Sequence, residues 1–315
     1  PCALAVLLGA CHATETGSGS AASGPAAEGR RLLEAGELDA AAAKLGQASG
    51  DADALYDLGR VWVKKAEQAP LPTPLPPPTP VPKGWEPPPP PEFKSEELLA
   101  AGFLEKAIGV RPDHGPAHFA MAQLLAPHAI RQHDRVVEAA KVHVRKGAKP
   151  APLVLPDTGG IDITPERVVR SYDVAVRAEP RIAGALESFV QFAERAGDLG
   201  ATDRAYQEVI RRAGPNRESA EPLVRYGDFL LNVRKDTTAA VEPYRQALIW
   251  RPDDDATRGK LADIFIAMGV ESYAKQQYAS AEARFVEAAR YLTDQSSVQA
   301  ATVKDYQARL AAIRR

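Results

Sequence analysis

Histidine is the residue type in this sequence whose clustering suggests metal chemistry. Five of the six histidines lie between residues 114 and 143, and His114 and His118 have the four-residue spacing of two ligands on one helix face. His114 lies just after Pro112, in a segment expected to be a turn, and no cysteine or carboxylate at fixed spacing completes a ligand set. We therefore predict no metal site and expect surface or packing roles for these histidines. They are His114, His118, His128, His133 and His143.

Other catalytic and binding chemistry is also missing from the sequence. It contains no glycine-rich phosphate loop, no serine nucleophile elbow and no zinc-protease helix. Its 39 Lys and Arg residues against 41 Asp and Glu residues, a net charge of −2, exclude the strongly basic composition typical of nucleic-acid binding. We predict a protein without enzymatic activity or cofactor, and without a nucleic-acid or small-molecule ligand.

The two cysteines, Cys2 and Cys11, both lie at the N-terminus, so the rest of the chain can form no internal disulfide. Residues 1–10 are an apolar run that ends in Leu8-Gly9-Ala10 before Cys11, which resembles the lipobox of bacterial lipoprotein signal peptides. The resemblance implies that 1–10 is a signal-peptide remnant and that the Cys11 thiol is lipidated. Residues 11–25, rich in Gly, Ser and Ala, would then be a flexible tether. A chance cysteine after a short apolar segment is the alternative.

The same resemblance bears on location. In that family the residue after the lipidated cysteine directs sorting, and here it is His12 and not aspartate. We therefore expect a lipid-anchored protein of the bacterial cell envelope, in the outer membrane and facing the periplasm.

The helices that would position any functional site form a repeated pattern along the chain. The clearest unit, 219–252, has bulky and small residues at the spacing of one helix face, then a second such set and a closing proline. The first set is Leu223, Tyr226-Gly227 and Leu230, and the second is Ala240, Tyr244, Ala247 and Pro252.

This pattern resembles the tetratricopeptide repeat (TPR), a helix pair of about 34 residues. Partial copies cover Gly29 to about Arg290, as five to seven units. Further first-helix sets are Leu55/Leu58-Gly59/Trp62, His118/Met121-Ala122/Leu125, Leu186/Phe189-Val190/Ala193 and Arg258/Leu261-Ala262/Phe265. Further second-helix sets are Ala41/Leu45/Ala48, Ala100/Leu104/Ala107, Val168/Tyr172/Ala175, Leu199/Thr202/Tyr206 and Ala281/Phe285/Ala288.

The resemblance implies an all-α fold, a right-handed α-solenoid of antiparallel helix pairs. We expect repeat helices over 26–68, 94–146 and 164–295, and a C-terminal capping helix over 296–315. The face of that capping helix that packs on the last repeat would carry Val298, Ala301, Tyr306 and Leu310.

Two segments interrupt the repeats. Residues 69–93 hold thirteen of the 27 prolines, which excludes a helix and predicts an extended or irregular insert. Residues 147–163 are predicted to be a loop or small hairpin, with strands at Leu153–Leu155 and Ile161–Ile163, after a helix from about Asp134 to Lys146. Either this loop replaces one first helix, or a helix and loop together enlarge one repeat. If a helix and loop enlarge one repeat, both interruptions open the turn between the two helices of a repeat. The hypothesis is then that the two interruptions form a joint recognition surface.

In TPR proteins the first helices line a concave groove that binds partner segments. By resemblance the groove here includes Phe119, Gln123, Glu187, Gln191, Glu194, Val224, Asp228, Asn232 and Asp263. This groove set is polar and somewhat acidic, which suits a partner segment with basic residues; simple solvation of these positions is the alternative.

The sequence thus favours a non-enzymatic scaffold that holds a protein or peptide in the groove or on the inserted loops, anchored to a membrane by lipid. The alternatives are a soluble cytoplasmic TPR adaptor or co-chaperone, and an accessory subunit of a periplasmic enzyme.

Overall fold

The computed structural model describes residues 24–70, 93–146, 158–293 and 296–313. The regular structure in these ranges is entirely helical, which confirms the all-α prediction. Residues 1–10 with Cys11, most of the tether and residues 71–92 of the proline-rich insert lie outside the described ranges. The chain divides into an N-terminal unit, Pro1–Thr202, and a C-terminal unit, Asp203–Arg315.

The N-terminal unit contains three helix pairs and the start of a fourth. Its helices are α1 (Pro25–Glu34), α2 (Leu38–Leu45), α3 (Ala52–Gln68), α4 (Ser95–Val110), α5 (Gly115–Lys146), α6 (Pro165–Ala178) and α7 (Ala185–Ala196), followed by the first residues of α8 (Leu199–Ala213). Within this unit α1 packs on α2, α3 on α4, α5 on α6, and α7 on both α5 and α6.

The C-terminal unit continues the same plan after the rest of α8. Its helices are α9 (Ala220–Asp228), which runs into a π-helical turn (Phe229–Val233), α10 (Thr237–Trp250), α11 (Asp255–Ala274), α12 (Tyr278–Tyr291) and α13 (Ser297–Ile313). Helix α9 packs on α10, α11 on α12, and α13 on both α11 and α12. In the described residues, five helix pairs pack in this way: α1 with α2, α3 with α4, α5 with α6, α9 with α10 and α11 with α12.

The predicted second-helix sets form the core of these pairs. Most of their members are buried because a small, a bulky and a small residue at helical spacing fill the space against the first helix. Two predicted members are not buried: Leu199 is 42% exposed and Ala48 is half-buried. The fully or almost fully buried ones include Ala41, Leu45, Ala100, Leu104, Ala107, Val168, Tyr172, Ala175, Ala240, Tyr244, Ala247, Ala281, Phe285 and Ala288.

Glycines on the first helices allow the partner helix to come close. A Cβ atom on Gly227 would lie 2.7 Å from the Tyr244 ring, and one on Gly269 would lie 2.9 Å from the Phe285 ring. The same contact recurs in the N-terminal unit between Gly59 and Leu104, at 2.7 Å. The small residue of the repeat is therefore required for close helix approach.

This contact corrects the register predicted for α11. The sequence set placed Ala262 at the small position, whereas the structure places Gly269 there, against Phe285. Residues 262 and 269 are one heptad apart, so they lie on almost the same face of a helix and the local pattern fits both. The prediction placed the polar residue Arg258 at the bulky position. In the structure Phe265, which is buried, occupies that position.

The structure also corrects the helix predicted from about Asp134. One helix, α5, runs from Gly115 to Lys146 and contains Pro127. Proline removes a single backbone donor, and the buried residues Leu125 and Ile130 on either side hold the helix in the core across that point. Since α5 pairs with α6, a long helix and a loop enlarge one repeat, and no first helix is missing.

The segment before α6 shows no strand within 158–163, and the other predicted hairpin strand, 153–155, lies outside the described ranges. Helix α6 begins as its sequence suggests. The Thr164 side chain accepts a hydrogen bond from the Arg167 N–H, and Pro165 occupies the first helical position.

Helix α13 covers the end of the C-terminal unit through a different face from the one predicted. Val303 and Leu310 are buried, and Tyr306 stacks on Phe285 with 4.9 Å between ring centroids. Val298 is 75% exposed, so it lies outside this contact face, as does the exposed Ala301. The predicted face is wrong for these two residues because residues 303, 306 and 310 form the helical stripe that meets the aromatic rings.

Candidate functional site

All nine residues of the groove set lie on first helices, and every one reaches solvent. In the N-terminal unit α5 carries Phe119 and Gln123, which are half-buried, and α7 carries the exposed acidic and amide residues. In the C-terminal unit Val224 and Asp228 are half-buried on α9. The exposed members of the set are Glu187, Gln191, Glu194, Asn232 and Asp263.

Asp228 of the groove set bonds to side chains of two other helices. Its Oδ1 accepts hydrogen bonds from the Tyr244 hydroxyl at 2.7 Å and from Lys260 Nζ at 2.6 Å, and Lys260 Nζ also lies 2.8 Å from Oδ2. Burial, and then the hydrogen bond to this carboxylate, raise the pKa of Tyr244. Asp228 therefore links α9 to α10 and α11 while its carboxylate stays partly exposed.

Asn232 and Asp263 follow Asp228 in the chain. Asn232 belongs to the π-helical turn, where the Arg234 N–H reaches the Phe229 carbonyl at 3.1 Å. The turn adds one residue, so Gly227 and Tyr244 are 17 residues apart where Gly269 and Phe285 are 16. Asp263 accepts a hydrogen bond from Gln299 of α13 at 3.3 Å.

In the N-terminal unit the groove set combines an aromatic and an acidic part. The Phe119 ring lies 6.2 Å from the ring of Tyr172, and Gln191 donates to Glu187 at 3.0 Å. Amide and carboxylate side chains of this kind can bond a peptide backbone and its basic side chains.

Two arginines on first helices were missed by the sequence analysis. Arg30 of α1 and Arg60 of α3 both contact the buried carboxylate of Asp57, at 2.8 and 3.0 Å. A signal for them exists in the sequence, because each follows a close-contact glycine, as Gly29-Arg30 and Gly59-Arg60. The equivalent residue after Gly227 is Asp228.

His114 and His118 occupy structural positions. His114 is buried; its Nδ1 accepts the Ala117 N–H at 3.0 Å and its Nε2 lies 2.9 Å from Asp53 Oδ1. This bond, opposed by burial and supported by Arg111, lowers the pKa of Asp53 to about 2. His118 Nε2 lies 2.9 Å from the Pro112 carbonyl, and burial lowers its pKa. Both nitrogens of His114 are therefore engaged within the fold.

His128 is part of a cluster where the two interruptions meet. Its ring stacks on Phe93 at 3.9 Å, and its Nε2 lies 3.6 Å from Glu97. Lys94 Nζ donates to the carbonyls of Ala66 and Ala69 at 2.7 Å each, so residues on both sides of the proline-rich insert are held together.

The second interruption reaches the same helix end. A Cβ on Gly159 would lie 2.9 Å from the Leu98 side chain of α4. Described residues beside both interruptions thus lie at the start of α4.

No group of three or more His, Cys, Asp or Glu side chains in the described ranges is arranged to bind a metal ion. Among the described helices, none is both long and apolar enough to cross a membrane.

Comparisons with known proteins find similarity in solved structures only. No protein-family model matches the chain, and no curated protein matches it either. A tetratricopeptide repeat protein from Parabacteroides merdae is 10% identical, with 90% of this chain and 83% of that one covered and a TM-score of 0.33. The pilF protein of Pseudomonas aeruginosa is 14% identical over 85% of this chain and 93% of that one, with a TM-score of 0.30.

The TPR domain of P58(IPK) is 11% identical over 91% of this chain and 97% of that one, with a TM-score of 0.23. Identities and TM-scores this low transfer no partner or activity to this chain. The resemblance depends instead on the chain's own features, namely the recurring signature residues, the packed helix pairs and the glycine contacts between paired helices. In these features the chain resembles TPR-type repeat proteins.

Proposed function

We propose that this chain is a non-enzymatic scaffold that binds segments of other proteins along its first helices. The observation that carries the proposal is the difference in solvent exposure between the two helices of a repeat. Most second-helix signature residues are buried, whereas all nine residues of the groove set remain at least partly exposed on first helices. Exposed polar side chains on a rigid helical support suit recognition of a partner chain.

The side chains of the groove set support a protein ligand in particular. Asp228 is held by Tyr244 and Lys260, and Gln191 is held by Glu187, so these groups are ordered before a partner arrives. Ordered groups lose little conformational entropy on binding, which favours affinity.

The finer part of the proposal concerns location. We infer from the lipobox-like residues before Cys11 that the scaffold is lipid-anchored in the bacterial envelope, at the periplasmic face of the outer membrane. Each buried CH₂ group of an acyl chain contributes about 0.8 kcal/mol to anchoring. A scaffold held in this way would tether or assemble a complex at the membrane, with the inserted loops as a second contact region.

Site-specific photocrosslinking tests the scaffold function. A photoreactive residue is placed at Gln191 of α7 or Asn232 of the π-helical turn, and at the exposed second-helix positions Lys106 and Ala289 as matched controls. In native cells the first-helix positions should form discrete crosslinks to the same partner. Equal crosslinking from all four positions would contradict the assignment of the groove.

Intact mass and membrane partitioning test the anchor. The full-length protein should carry acyl mass on a new N-terminus at Cys11 and sediment with membranes, whereas a Cys11→Ser variant should be soluble. If both forms are soluble and unmodified and keep residues 1–10, the envelope location is wrong, and a cytoplasmic adaptor takes its place.

A further inference from the structure

Helix α4 has an exposed apolar face in addition to the face that packs inside its repeat. The packed face carries Ala100, Leu104 and Ala107, all of which are buried. On another side of the helix the large apolar residues Leu99 and Val110 are 44% and 53% exposed. A helix with apolar residues on more than one side is usually covered on each of them. The described residues of this chain leave the side with Leu99 and Val110 open to solvent.

The residues of this open face are spaced as in the seam between two paired helices. Glu96, Leu99, the half-buried Phe103, the exposed Lys106 and Val110 follow one another at alternating steps of three and four residues. This alternation keeps a set of side chains on one side of a helix along its whole length, where a second helix can contact all of them. We call these five residues the α4 stripe.

Two glycines beside the α4 stripe have open space above them. A Cβ atom on Gly102 or Gly109 would meet no atom within 4 Å. In contrast, a Cβ on Gly59 of α3 would lie 2.7 Å from Leu104, so that glycine is needed inside the repeat. Glycine weakens a helix, and contacts within the chain do not require it at the two positions in α4. Both positions leave room for another helix to come close to the stripe.

The charges of the α4 stripe are ordered along the helix. Glu96 lies in the first helical turn. Lys106 lies three turns further on, and its Nζ is 5.2 Å from the centre of the Phe103 ring. The stripe therefore has an acidic end and a basic end, with apolar side chains between them.

Other charged residues at the ends of α4 have partners within the chain. Glu105 lies 3.6 Å from Arg167 of α6, and Arg111 lies 2.8 Å from Asp53 of α3. Glu97 accepts the backbone N–H of the residue before the helix at 2.7 Å. These groups balance one another locally, so Glu96 and Lys106 determine the charge order of the stripe.

A second copy of α4 in antiparallel orientation matches this order. Glu96 of each copy then meets Lys106 of the other, and at the same time Leu99 meets Phe103. Ala101 is the midpoint of both pairings, so a single two-fold axis beside it produces them together. A parallel pair would instead bring like charges together. A lipid surface would not match an acidic and a basic end at once.

We propose that the α4 stripe is a self-association surface, on which two copies of this chain pair their α4 helices in antiparallel orientation. The stripe lies on a second helix, apart from the groove set on the first helices, so this inference goes beyond the proposed function and does not depend on it. A seam of one helix is small, and the dissociation constant should be on the order of 10–100 µM.

Sedimentation equilibrium of the full chain tests self-association. The Cys11→Ser variant, which cannot be acylated, is studied under reducing conditions at about 1–300 µM, a range that brackets the expected dissociation constant. The data should fit an equilibrium between monomer and dimer. A chain that stays monomeric over the whole range, or that forms larger oligomers, would overturn the proposal.

Charge variants test the antiparallel pairing. Lys106→Glu places two acids together at both ends of the dimer and should weaken it about tenfold. Lys304→Glu on α13 changes the net charge equally at another exposed lysine and should have no effect. The double variant Glu96→Lys, Lys106→Glu restores opposite charges and should dimerise like the wild type. Unchanged dimerisation of Lys106→Glu, or no recovery in the double variant, would show that this pairing is wrong. Circular dichroism melts establish that each variant is folded.

The apolar part of the seam has its own matched pair of variants. Leu99→Gln removes the contact with Phe103 of the other copy and should weaken the dimer about tenfold. Val298→Gln on α13 removes an apolar residue that is 75% exposed and should leave the dimer unchanged. Equal behaviour of the two variants would contradict a role for the α4 stripe.

Disulfide trapping tests the register directly. Copies with Glu96→Cys are mixed with copies that carry Lys106→Cys, both with Cys2→Ser and Cys11→Ser. Mild oxidation should join the two kinds of copy to each other faster than it joins two copies of the same kind. A faster reaction between identical copies would indicate parallel pairing and overturn the proposal.

Other occupants of the face are distinguished in a final arm. If the Cys11→Ser chain stays monomeric but binds vesicles of phosphatidylethanolamine and phosphatidylglycerol, and Leu99→Gln abolishes that binding, the face belongs to a lipid surface and self-association is wrong. A photoreactive residue at Lys106 should yield a dimer of this chain, whereas Gln191 and Asn232 should yield a different protein. If only the last two crosslinks form, the scaffold function stands without self-association.

Discussion

Helices α3 and α9 use the same backbone arrangement to display opposite charges. In α3, Gly59 contacts Leu104 and the next residue, Arg60, reaches the surface supported by buried Asp57. In α9, Gly227 contacts Tyr244 and the next residue is Asp228, whose side chain is 36% exposed and held by Lys260 and the Tyr244 hydroxyl. Asp57, which supports Arg60, is thus inside the fold, whereas Lys260, which supports Asp228, lies near the surface.

The difference shows how one repeat can present different ligand chemistry. The glycine and the bulky second-helix residue are needed for packing, so they stay similar in type. The residue after the glycine makes no such contact and is free to change from cation to anion. Where the supporting group is buried, as Asp57 is, the displayed charge also becomes part of the stability of the fold.

The largest expected effect comes from removing the two carboxylates in turn. Asp57→Ala leaves two cations facing each other beside a small buried cavity, and should cost about 3 kcal/mol of unfolding free energy, since the arginines are partly hydrated. Asp228→Ala should cost about 1 kcal/mol because its partners can reach water. Urea unfolding of the full chain measures both. Equal losses would show that burial does not distinguish the two centres.

The next prediction tests the close approach that both helices share. Gly227→Ala places a Cβ 2.7 Å from the Tyr244 ring, and overpacking of about 1–3 kcal/mol should exceed the helix propensity gain of about 1 kcal/mol. Gly259→Ala in α11 is the matched control, because its Cβ would meet no atom within 4 Å and the substitution should stabilise the chain. A stabilised Gly227→Ala variant would contradict the packing role of the glycine. Thermal melts of the two variants and the wild type decide between these outcomes.

The smallest effect concerns pH and the second acid of α3. The pKa of Asp53 is lowered from its usual 3.8 to about 2 by His114 and Arg111, so its carboxylate binds protons more weakly in the folded state than in the unfolded state. Its contribution is complete above about pH 4 and is lost as the pH falls towards 2. The Asp53→Asn variant should therefore lose less stability than the wild type over this range.

Urea midpoints between pH 5 and pH 2.5 measure that difference. Other acids with lowered pKa values, such as Glu208, contribute equally to both proteins, so the comparison isolates Asp53. Parallel curves for the two proteins would show that Asp53 titrates normally.

Much of the fold follows from local pattern, and the misplacements have a common cause. The buried second-helix residues were predicted because their spacing is set by the helix itself. In α11 the pattern fits Ala262 and Gly269 equally well, and the choice depends on which residue faces Phe285 of another helix. In α13 the packing stripe likewise depends on the rings of Tyr273 and Phe285, which meet Tyr306.

Part of the candidate site could be predicted from the sequence and part could not. The groove set could be placed on first helices because the repeat position determines which side of the helix a residue occupies. The link between Arg30 and Asp57 could not be predicted, since the residues are 27 positions apart and belong to different repeats.

The sequence by itself determined that this protein is all-helical, that its helices come in repeated pairs, and which residues of most second helices are buried between them. These properties depend on helical periodicity and on the size of side chains, which are readable along one segment. Only the tertiary structure decided the register of α11, the length of α5 and the meeting of both interruptions at α4. It also decided that buried Asp57 supports two arginines, because an ion pair depends on distances between helices that periodicity does not contain.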